Sequence, residues 1–180
     1  SSGTLRLITD LSLEDCKIGS SISCDGICLT ATDIIKENNK FYLTANVSEE
    51  TIIRSNILSQ QNPKTRIINL EKSLKVGDEI SGHFVYGHVD LTTKILDIKK
   101  LKNSWIFIFE KKFADKNNYI VEKASIAING ISLTIANLEN NSFSVSIIPH
   151  TFLNTNLQYA NTNDLVNVEF DYLARFIINE

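Results

Sequence analysis

The sequence predicts an all-β protein made of two similar antiparallel barrels in tandem, with a short C-terminal helix. The first observation is an internal repeat, because SISCDGICLT at 21–30 returns as SIAINGISLT at 125–134 with six of ten positions identical. The second is that short segments rich in Val, Ile, Thr, Phe and Tyr alternate with polar turns, which is typical of strands. A repeat this long indicates two similar domains rather than a solenoid.

Two further pairs of segments extend the repeat. SEETIIRSNIL at 48–58 matches IPHTFLNTNL at 148–157, and INLE at 68–71 matches VNVE at 166–169. The offset falls from 104 to 100 to 98 residues, as expected if only loop lengths differ. We therefore place the first barrel at 1–80, the second at 81–172 and the helix at 173–180. Barrels are expected because closure removes the edge strands that a small sheet cannot protect.

The strands are predicted, element by element, from segments of apolar or alternating character. They include LRLIT, KFYLTANV, SWIFIFE, SIAING, SLTIANL and SFSVSII, separated by polar turns such as KENNK, LENNS and NTND. Helical spacing is weak until DYLARFIINE, which places Leu173, Phe176 and Ile177 on one face. This apolar stripe is narrow, so we expect the helix to pack on the barrel or on another subunit.

One predicted strand of the second unit has no counterpart in the first unit. SGHFVYGHVDLTTKILDI at 81–98 precedes SWIFIFE, and SWIFIFE matches TLRLITD at 4–10. The first-half partner of 81–98 would therefore precede residue 1. We expect the first barrel to lack about one strand and to have an open edge.

Composition narrows the classes of partner. Net charge is −3 and the basic residues are scattered, so we expect binding neither to nucleic acid nor to an anionic membrane. No apolar run approaches the ~20 residues that a membrane span requires. The three cysteines, Cys16, Cys24 and Cys28, all lie in one half, which argues against a disulfide framework and favours the reducing cytoplasm.

The two GI[CS]LT segments are the first candidate site. Alternation along a strand puts Cys28 and Thr30 on one face, and Ser132 and Thr134 on the equivalent face of the second unit. Such pairs of small polar groups suit hydrogen bonds to a flat heterocycle. The alternative is a polar strand face turned to solvent, but its repetition in both halves favours binding.

Two of the three histidines, His83 and His88, each follow a glycine where one repeat passes to the next. A spacing of five puts them on opposite faces of a regular strand, and no further ligands stand nearby, so we expect no metal site. Two alternatives stay open: at least one histidine contacts a ligand or transfers a proton, or both satisfy backbone groups at the junction. Thr51 and Thr151 either bond a ligand or cap a turn.

Five motifs, taken in order, resemble the riboflavin synthase family of the α-chain type from about Gly19 to Arg175: CDGICLTAT, NLEKSLKVGDEISGHFVYGHVD, SIAINGISLT, IPHTFLNTNL and VNVEFDYLAR. The resemblance implies two six-stranded Greek-key barrels and a homotrimer. It also implies a dismutation, without a cofactor, of two molecules of 6,7-dimethyl-8-ribityllumazine. One molecule gives four carbons to the other, which yields riboflavin and 5-amino-6-ribitylamino-uracil. One substrate would lie on the N-terminal barrel of one subunit and the other on the C-terminal barrel of its neighbour.

The resemblance also implies site residues at matching positions. His88 and Ser132 would have polar roles in catalysis, assisted by Cys28 and Thr134. The first pocket would be lined by Ile27, Cys28, Leu29 and Thr30 together with Asn46, Val47, Ser48, Glu49, Glu50 and Thr51. The second would be lined by Gly87, His88, Val89, Lys123, Ser132, Leu133 and Thr134 together with Ile147, Ile148, Pro149, His150, Thr151 and Phe152.

The chain departs from the family's pattern in two places. The family's opening phenylalanine segment is missing, and Asp25 and Asn129 exchange the residue types that the family usually has at these positions. The exchange predicts either a slower proton transfer in the second pocket or a carboxylate moved to the first. Two rival functions are a lumazine-binding protein without turnover and a scaffold of small barrels. Because both GI[CS]LT copies are present, we favour the enzyme.

Overall fold

The two halves of the chain form two β-units with the same order of strands. The structure, a computed structural model, describes residues 3–58, 66–112 and 119–174. The N-terminal unit contains β1 (Gly3–Thr9), β2 (Ser21–Cys24), β3 (Ile27–Glu37), β4 (Lys40–Val47), α1 (Glu49–Arg54) and β5 (Leu70–Lys72). The C-terminal unit contains β6 (Leu91–Lys100), β7 (Trp105–Glu110), β8 (Ser125–Ile128), β9 (Ile131–Leu138), β10 (Ser142–Ile147), α2 (Pro149–Leu153), a 3-10 helix (Asn156–Tyr159) and β11 (Leu165–Phe170).

All strand pairs are antiparallel, and the predicted all-β class is confirmed. The first sheet has the order β1-β4-β3-β2-β5, and the second is a closed barrel in the order β10-β7-β6-β11-β8-β9. β6 closes that barrel by pairing with both β7 and β11. Within the described ranges no strand joins β1 to β5, so five strands stand where the second unit has six.

Each unit has its own hydrophobic core, which follows from the alternation along its strands. In the N-terminal unit Ile22, Leu29 and Leu43 are buried together, and in the C-terminal unit Phe107 and Phe143 are fully buried. The predicted boundary between residues 80 and 81 lies in the connection from 73 to 90, which has neither helix nor strand. No helix in the described part of the chain is both long and apolar enough to cross a membrane.

The two short helices after β4 and β10 were not predicted from the sequence. Ser48 is the N-cap of α1, where its side chain accepts a hydrogen bond from the Thr51 N–H, and Pro149 occupies the first turn of α2. Both are favourable starts for a helix. The predicted C-terminal helix begins at residues 172–174, while 175–180, which include Phe176 and Ile177, lie outside the described residues.

The units meet at the tips of two equivalent hairpins. Asp25 and Gly26 join β2 to β3, and Asn129 and Gly130 join β8 to β9. All four residues have positive φ, as a type I′ turn requires, and Asp-Gly and Asn-Gly are its preferred sequences. The turns touch each other: a Cβ on Gly26 would lie 2.6 Å from the Gly130 nitrogen. Glycine is therefore needed at both positions for steric reasons.

Within each unit the same backbone contact holds the hairpin tip. Asp25 Oδ1 accepts from the Asn69 N–H at 2.8 Å, and Asn129 Oδ1 accepts from the Asn167 N–H at 2.8 Å. The return bonds are also equivalent, because the Asp25 and Asn129 N–H groups donate to the Asn69 and Asn167 carbonyls at 2.9 Å. The side chain of Asn129 is therefore occupied by a structural contact that an amide satisfies as well as a carboxylate.

Between the units a second pair of equivalent bonds crosses the contact. The Asn56 N–H donates to Asn167 Oδ1 at 2.7 Å, and the Asn156 N–H donates to Asn69 Oδ1 at 2.7 Å. The repeated asparagines of the sequence thus join one half to the other. The side chains of Asn56 and Asn156 also cross the contact, because Asn56 Nδ2 donates to the Leu165 carbonyl at 2.8 Å and Asn156 Nδ2 donates to the Ile67 carbonyl at 3.4 Å.

One ion pair breaks the equivalence of the halves. Arg66 Nη2 lies 2.8 Å from Asp25 Oδ2, and the two side chains are only 6% and 1% exposed. Arg66 Nη1 also donates to the Asn56 and Ile57 carbonyls. Burial raises the pKa of the Asp25 carboxyl, whereas the Arg66 guanidinium opposes that shift. Asp25 Oδ1 also accepts a hydrogen bond from Asn156 Nδ2 at 2.9 Å, so this carboxylate takes part in the contact between the units.

We expect Gly130→Ala to weaken this contact strongly. A Cβ on Gly130 would lie 2.8 Å from the Gly26 nitrogen at a φ of +80°. The left-handed backbone and the overlap together are expected to lower the free energy of unfolding by about 2–5 kcal/mol. Urea unfolding followed by the fluorescence of Trp105 measures the loss. Gly19→Ala is the matched control, because Gly19 has a φ of +93° and open space around it. Equal losses in the two variants would show that the contact between the turns contributes nothing.

Candidate active site

The two GI[CS]LT strands present their small polar side chains as the alternation predicted. On β3, Cys28 and Thr30 are exposed while Leu29 is buried. On β9, Thr134 is exposed and Ser132 is half-buried. Each unit therefore offers a hydroxyl or thiol and a threonine on its outer face, and the interior of each barrel stays apolar.

An open cleft of about 680 Å³ brings Cys28 and Ser132 to one surface. Its walls are β2, β5, the connection 73–87 and the hairpin of β8 and β9, and its lining also includes Ser21, Ser23 and His83. The lining thus includes small hydroxyls and an imidazole, together with the charged side chains of Glu71, Lys72 and Glu79. Thr30 and Thr134 lie outside this lining.

Two glycines in the connection between the units pack closely against the two repeated sites. A Cβ on Gly82 would lie 2.6 Å from Ser132 Oγ, and a Cβ on Gly87 would lie 2.6 Å from Cys28 Cβ. Gly87 also accepts a hydrogen bond from the Cys28 N–H at 2.8 Å through its carbonyl. Both glycines have positive φ, so only glycine permits this approach without strain.

His83 is the histidine that contacts Ser132. Its Nδ1 lies 2.7 Å from Ser132 Oγ, and its backbone N–H donates to the same oxygen at 3.2 Å. Burial lowers the pKa of His83, and the negative charge of Asp171 opposes the shift. Burial therefore favours the neutral form of the ring, which lies beside a hydroxyl in the cleft.

His88 differs from His83 because its backbone N–H, and not its ring, makes the contact that fixes its position. It is exposed, its ring lies 6.3 Å from that of Tyr86, and its N–H donates to Glu169 Oε2 at 2.9 Å. The Tyr86 N–H donates to Glu169 Oε1 at 2.7 Å. Burial raises the pKa of Glu169, while these backbone donors oppose the shift. Glu169 thus holds the loop that carries His88. The sequence did not indicate this role, because the surrounding segment VNVEF is mostly apolar.

We expect Glu169→Gln to loosen this loop. Glutamine keeps the shape but turns an NH2 group toward one backbone donor, which should lower the free energy of unfolding by about 1–3 kcal/mol. The control is Glu71→Gln, since Glu71 takes the equivalent place in INLE and is exposed. Urea midpoints at neutral pH compare the two variants. If they fall together, Glu169 does not hold the loop.

The residues implied by the resemblance divide by burial. Five have buried side chains and shape the strands from inside: Ile27, Leu29, Val47, Leu133 and Ile147. Others are exposed near the ends of β4 and β10 or on the turn before β8: Asn46, Ser48, Glu49, Glu50, Ile148, Pro149, His150 and Lys123. Apart from Lys123, the exposed set lies on the two equivalent corners where a strand passes into a short helix.

Three implied residues have structural contacts of their own. Thr51 Oγ1 lies 2.9 Å from Ser48 Oγ, and the Thr151 carbonyl accepts from Thr155 Oγ1 at 2.8 Å. Phe152 stacks on Trp105 with ring centroids 4.0 Å apart. In addition, Val89 packs against the N-terminal core, and Gly87 packs against Cys28. Within a single chain, Gly87 and Val89 therefore contact the first unit and not the second.

Comparisons with known proteins agree with this architecture. The lumazine binding domain family matches residues 3–73 and again 86–171. The LumP structure with bound 6,7-dimethyl-8-(1'-D-ribityl) lumazine superposes with a TM-score of 0.74 at 18% identity, over 92% of this chain and 87% of that one. LumP with riboflavin gives a TM-score of 0.74 at 19% identity, over 93% and 88%. At these identities the likeness shows the fold alone.

Relatives of higher identity carry a function. The riboflavin synthase of Actinobacillus pleuropneumoniae is 39% identical over 92% of this chain and 74% of its own length. Those of Chlamydia trachomatis and Brucella abortus are 41% and 36% identical, over 89% and 96% of this chain and 75% and 84% of theirs. Because both halves match the domain family and these identities extend over most of each sequence, the chain belongs to the riboflavin synthase family and is a transferase.

Proposed function

We propose that the chain converts two molecules of 6,7-dimethyl-8-ribityllumazine into riboflavin and 5-amino-6-ribitylamino-uracil by transfer of four carbons. The observation that carries the proposal is the pair of equivalent polar faces, Cys28 with Thr30 and Ser132 with Thr134, one on each unit. A reaction between two identical molecules needs two similar sites. The curated riboflavin synthases support the reaction class.

The chemistry needs mainly orientation and proton transfer. The C7 methyl group of the substrate is acidic because its anion delocalises into the ring. Holding two rings in register contributes about 7–11 kcal/mol through proximity, and positioned acids and bases add about 10²–10⁴-fold. The atoms of two substrates equal those of the two products, so the reaction needs no external oxidant or reductant. Hydroxyl, thiol and imidazole groups suffice, and we propose that no cofactor takes part.

In this proposal His88, Ser132, Cys28 and Thr134 supply the polar groups for catalysis. Thr30 and the strand-to-helix corners at 46–51 and 147–152 bind the rings and ribityl chains. Support comes from the exposure of residues 48–50 and 148–150 at these corners, where the N-cap residue Ser48 also presents a hydroxyl. Cys28 contacts a ring or helps to activate water and forms no covalent bond.

We further propose a homotrimer in the cytoplasm. Phe84, Tyr86 and Tyr172 form an exposed aromatic group beside the start of the C-terminal helix, with the rings of Tyr86 and Tyr172 5.0 Å apart. Such a patch favours a contact with another copy of the chain. The cysteines Cys16, Cys24 and Cys28 are free thiols, which supports a reducing compartment.

The test is incubation of the purified chain with 6,7-dimethyl-8-ribityllumazine, followed by chromatography of both products. The proposal predicts riboflavin and 5-amino-6-ribitylamino-uracil in equal amounts and without added cofactor. Stoichiometric binding of the lumazine without product would instead favour a binding protein of the same fold. A Ser142→Ala variant, at the half-buried start of β10 and outside the cleft lining, serves as the control for expression and folding.

A further inference from the structure

The two glycine-histidine pairs of the connection act on the two units in different ways. Gly82 and His83 approach Ser132, and the imidazole itself makes the contact. Gly87 approaches Cys28, but the following His88 gives only its backbone to Glu169. The repeated sites are therefore equivalent in shape and unequal in chemistry. Of the two repeated positions, Ser132 is the one whose side chain contacts an imidazole in the described structure.

Hydrogen bonding around Ser132 Oγ constrains the direction of the proton. The oxygen accepts from the His83 N–H at 3.2 Å, and the hydroxyl hydrogen is then available for Nδ1 at 2.7 Å. Donation by the hydroxyl to Nδ1 goes with the tautomer of His83 that carries its hydrogen on Nε2, whereas the other tautomer would donate from Nδ1 to Oγ at the same distance. The Nε2 atom is buried and has no hydrogen-bond partner among the described residues.

From this geometry we propose that His83 is a positioning residue that orients Ser132 and takes up its hydroxyl proton during turnover. The inference rests on the proposed function. In the step, Ser132 Oγ receives a proton from the C7 methyl group while its own hydrogen passes to Nδ1 of His83. The electron pair of the broken C–H bond stays in the lumazine ring, and the proton returns by the reverse route.

The proposal makes the C-terminal unit the place of proton abstraction. Cys28 occupies the same slot in the first unit with the Gly87 carbonyl against its backbone, and among the described residues no histidine ring is hydrogen-bonded to its thiol. The first unit would then hold the second lumazine, which gives up the four carbons, because the deprotonated methyl carbon forms the new C–C bond and stays with the molecule that becomes riboflavin. The difference between Ser132 and Cys28 thus assigns different roles to the two lumazine molecules.

The charges around His83 set its pH dependence. Asp171 acts on the ring directly, and Glu71, Lys72 and Glu79 line the same cleft. Burial lowers the pKa of His83, so the folded state favours the neutral ring. At a pH above the ordinary pKa of histidine, the neutral ring makes its full contribution to folding stability and can accept a proton. Both fall as the pH drops through the lowered pKa.

The first measurement is kinetic and uses His83→Asn. Asparagine places an amide near the position of Nδ1 and preserves a hydrogen bond to Ser132, but it cannot take up a proton. We expect kcat to fall about 10²-fold with KM nearly unchanged. The fall in kcat on the acid side of the pH profile should also disappear. An unchanged kcat, or an acid limb that persists in His83→Asn, would overturn the proposal.

The second measurement does not depend on turnover or on the proposed reaction. Nitrogen NMR of the labelled chain should show His83 neutral with its hydrogen on Nε2 at pH 7.5, and His83→Asn assigns its signals. Ser132→Ala should release the ring into a mixture of tautomers. A hydrogen on Nδ1, or a tautomer that Ser132→Ala leaves unchanged, would overturn the inference. A chain that fails to convert lumazine but retains the Nε2 tautomer would defeat the proposed function and leave the pairing of the two side chains intact.

Discussion

Replacing Ser132 by alanine is expected to lower kcat for riboflavin formation by about 10²–10⁴-fold, the range of one lost proton-transfer group. The substitution removes the only hydroxyl that contacts His83 in the described structure. It keeps the backbone of β9, because Ser132 is half-buried and its neighbour Leu133 holds the strand in the core. Binding of the lumazine should weaken far less than kcat. Steady-state assays at saturating substrate measure the effect.

Cys28→Ser is the matched substitution in the other unit. It makes the two repeated segments identical at this slot and keeps a small polar group against Gly87. We expect a much smaller loss of kcat than in Ser132→Ala, because the Cys28 slot has no imidazole partner. Equal losses in the two variants would contradict the unequal roles of the two sites.

Replacing Asp25 by alanine is expected to lower the free energy of unfolding by about 3–5 kcal/mol, the range observed when one partner of a buried ion pair is removed. The guanidinium of Arg66 would be left 6% exposed and without its carboxylate. The Asn69 N–H and the Asn156 side chain would lose their acceptor as well. Urea unfolding, read from the fluorescence of Trp105, measures the loss.

A double substitution separates the charge from the hydrogen bonds. Asp25→Asn keeps the acceptor for the Asn69 N–H, as Asn129 does for Asn167, and Arg66→Met removes the charge left unpaired. We expect the double variant to recover most of the stability that Asp25→Asn alone loses, because neutral groups replace a buried pair with little net change. Glu14→Ala, in an exposed pair with Lys36, should leave stability nearly unchanged. A double variant as unstable as the single one would show that the charge is not the cause.

Much of the fold could be predicted because the repeat and the period-2 alternation are local signals. The exposure of Cys28 and Thr30 follows directly from the burial of Ile27 and Leu29 on the same strand. The Asp-Gly and Asn-Gly turns between paired strands are also read from neighbouring residues.

The short helices α1 and α2 escaped prediction because five or six residues cannot show a helical period. Their signals were in the caps: Ser48 before two glutamates, and Pro149 after Ile148. A search for caps at the ends of strands would have found both.

The site partners could not be chosen from the sequence because they depend on contacts between distant segments. His83 and His88 both follow glycine, and only the path of the connection shows that His83 reaches Ser132. Asp25 and Arg66 are separated by 41 positions, and no local pattern joins them. The carboxylate that the sequence placed near a pocket therefore belongs to the contact between the units.

The most direct test of two equivalent sites is calorimetric titration with an 8-ribityllumazine that carries an oxo group in place of the C7 methyl, which cannot form the reactive anion. The account predicts two molecules bound per chain, with Thr30→Val weakening one site and Thr134→Val weakening the other. A single molecule bound per chain, or two sites that neither threonine affects, would contradict it.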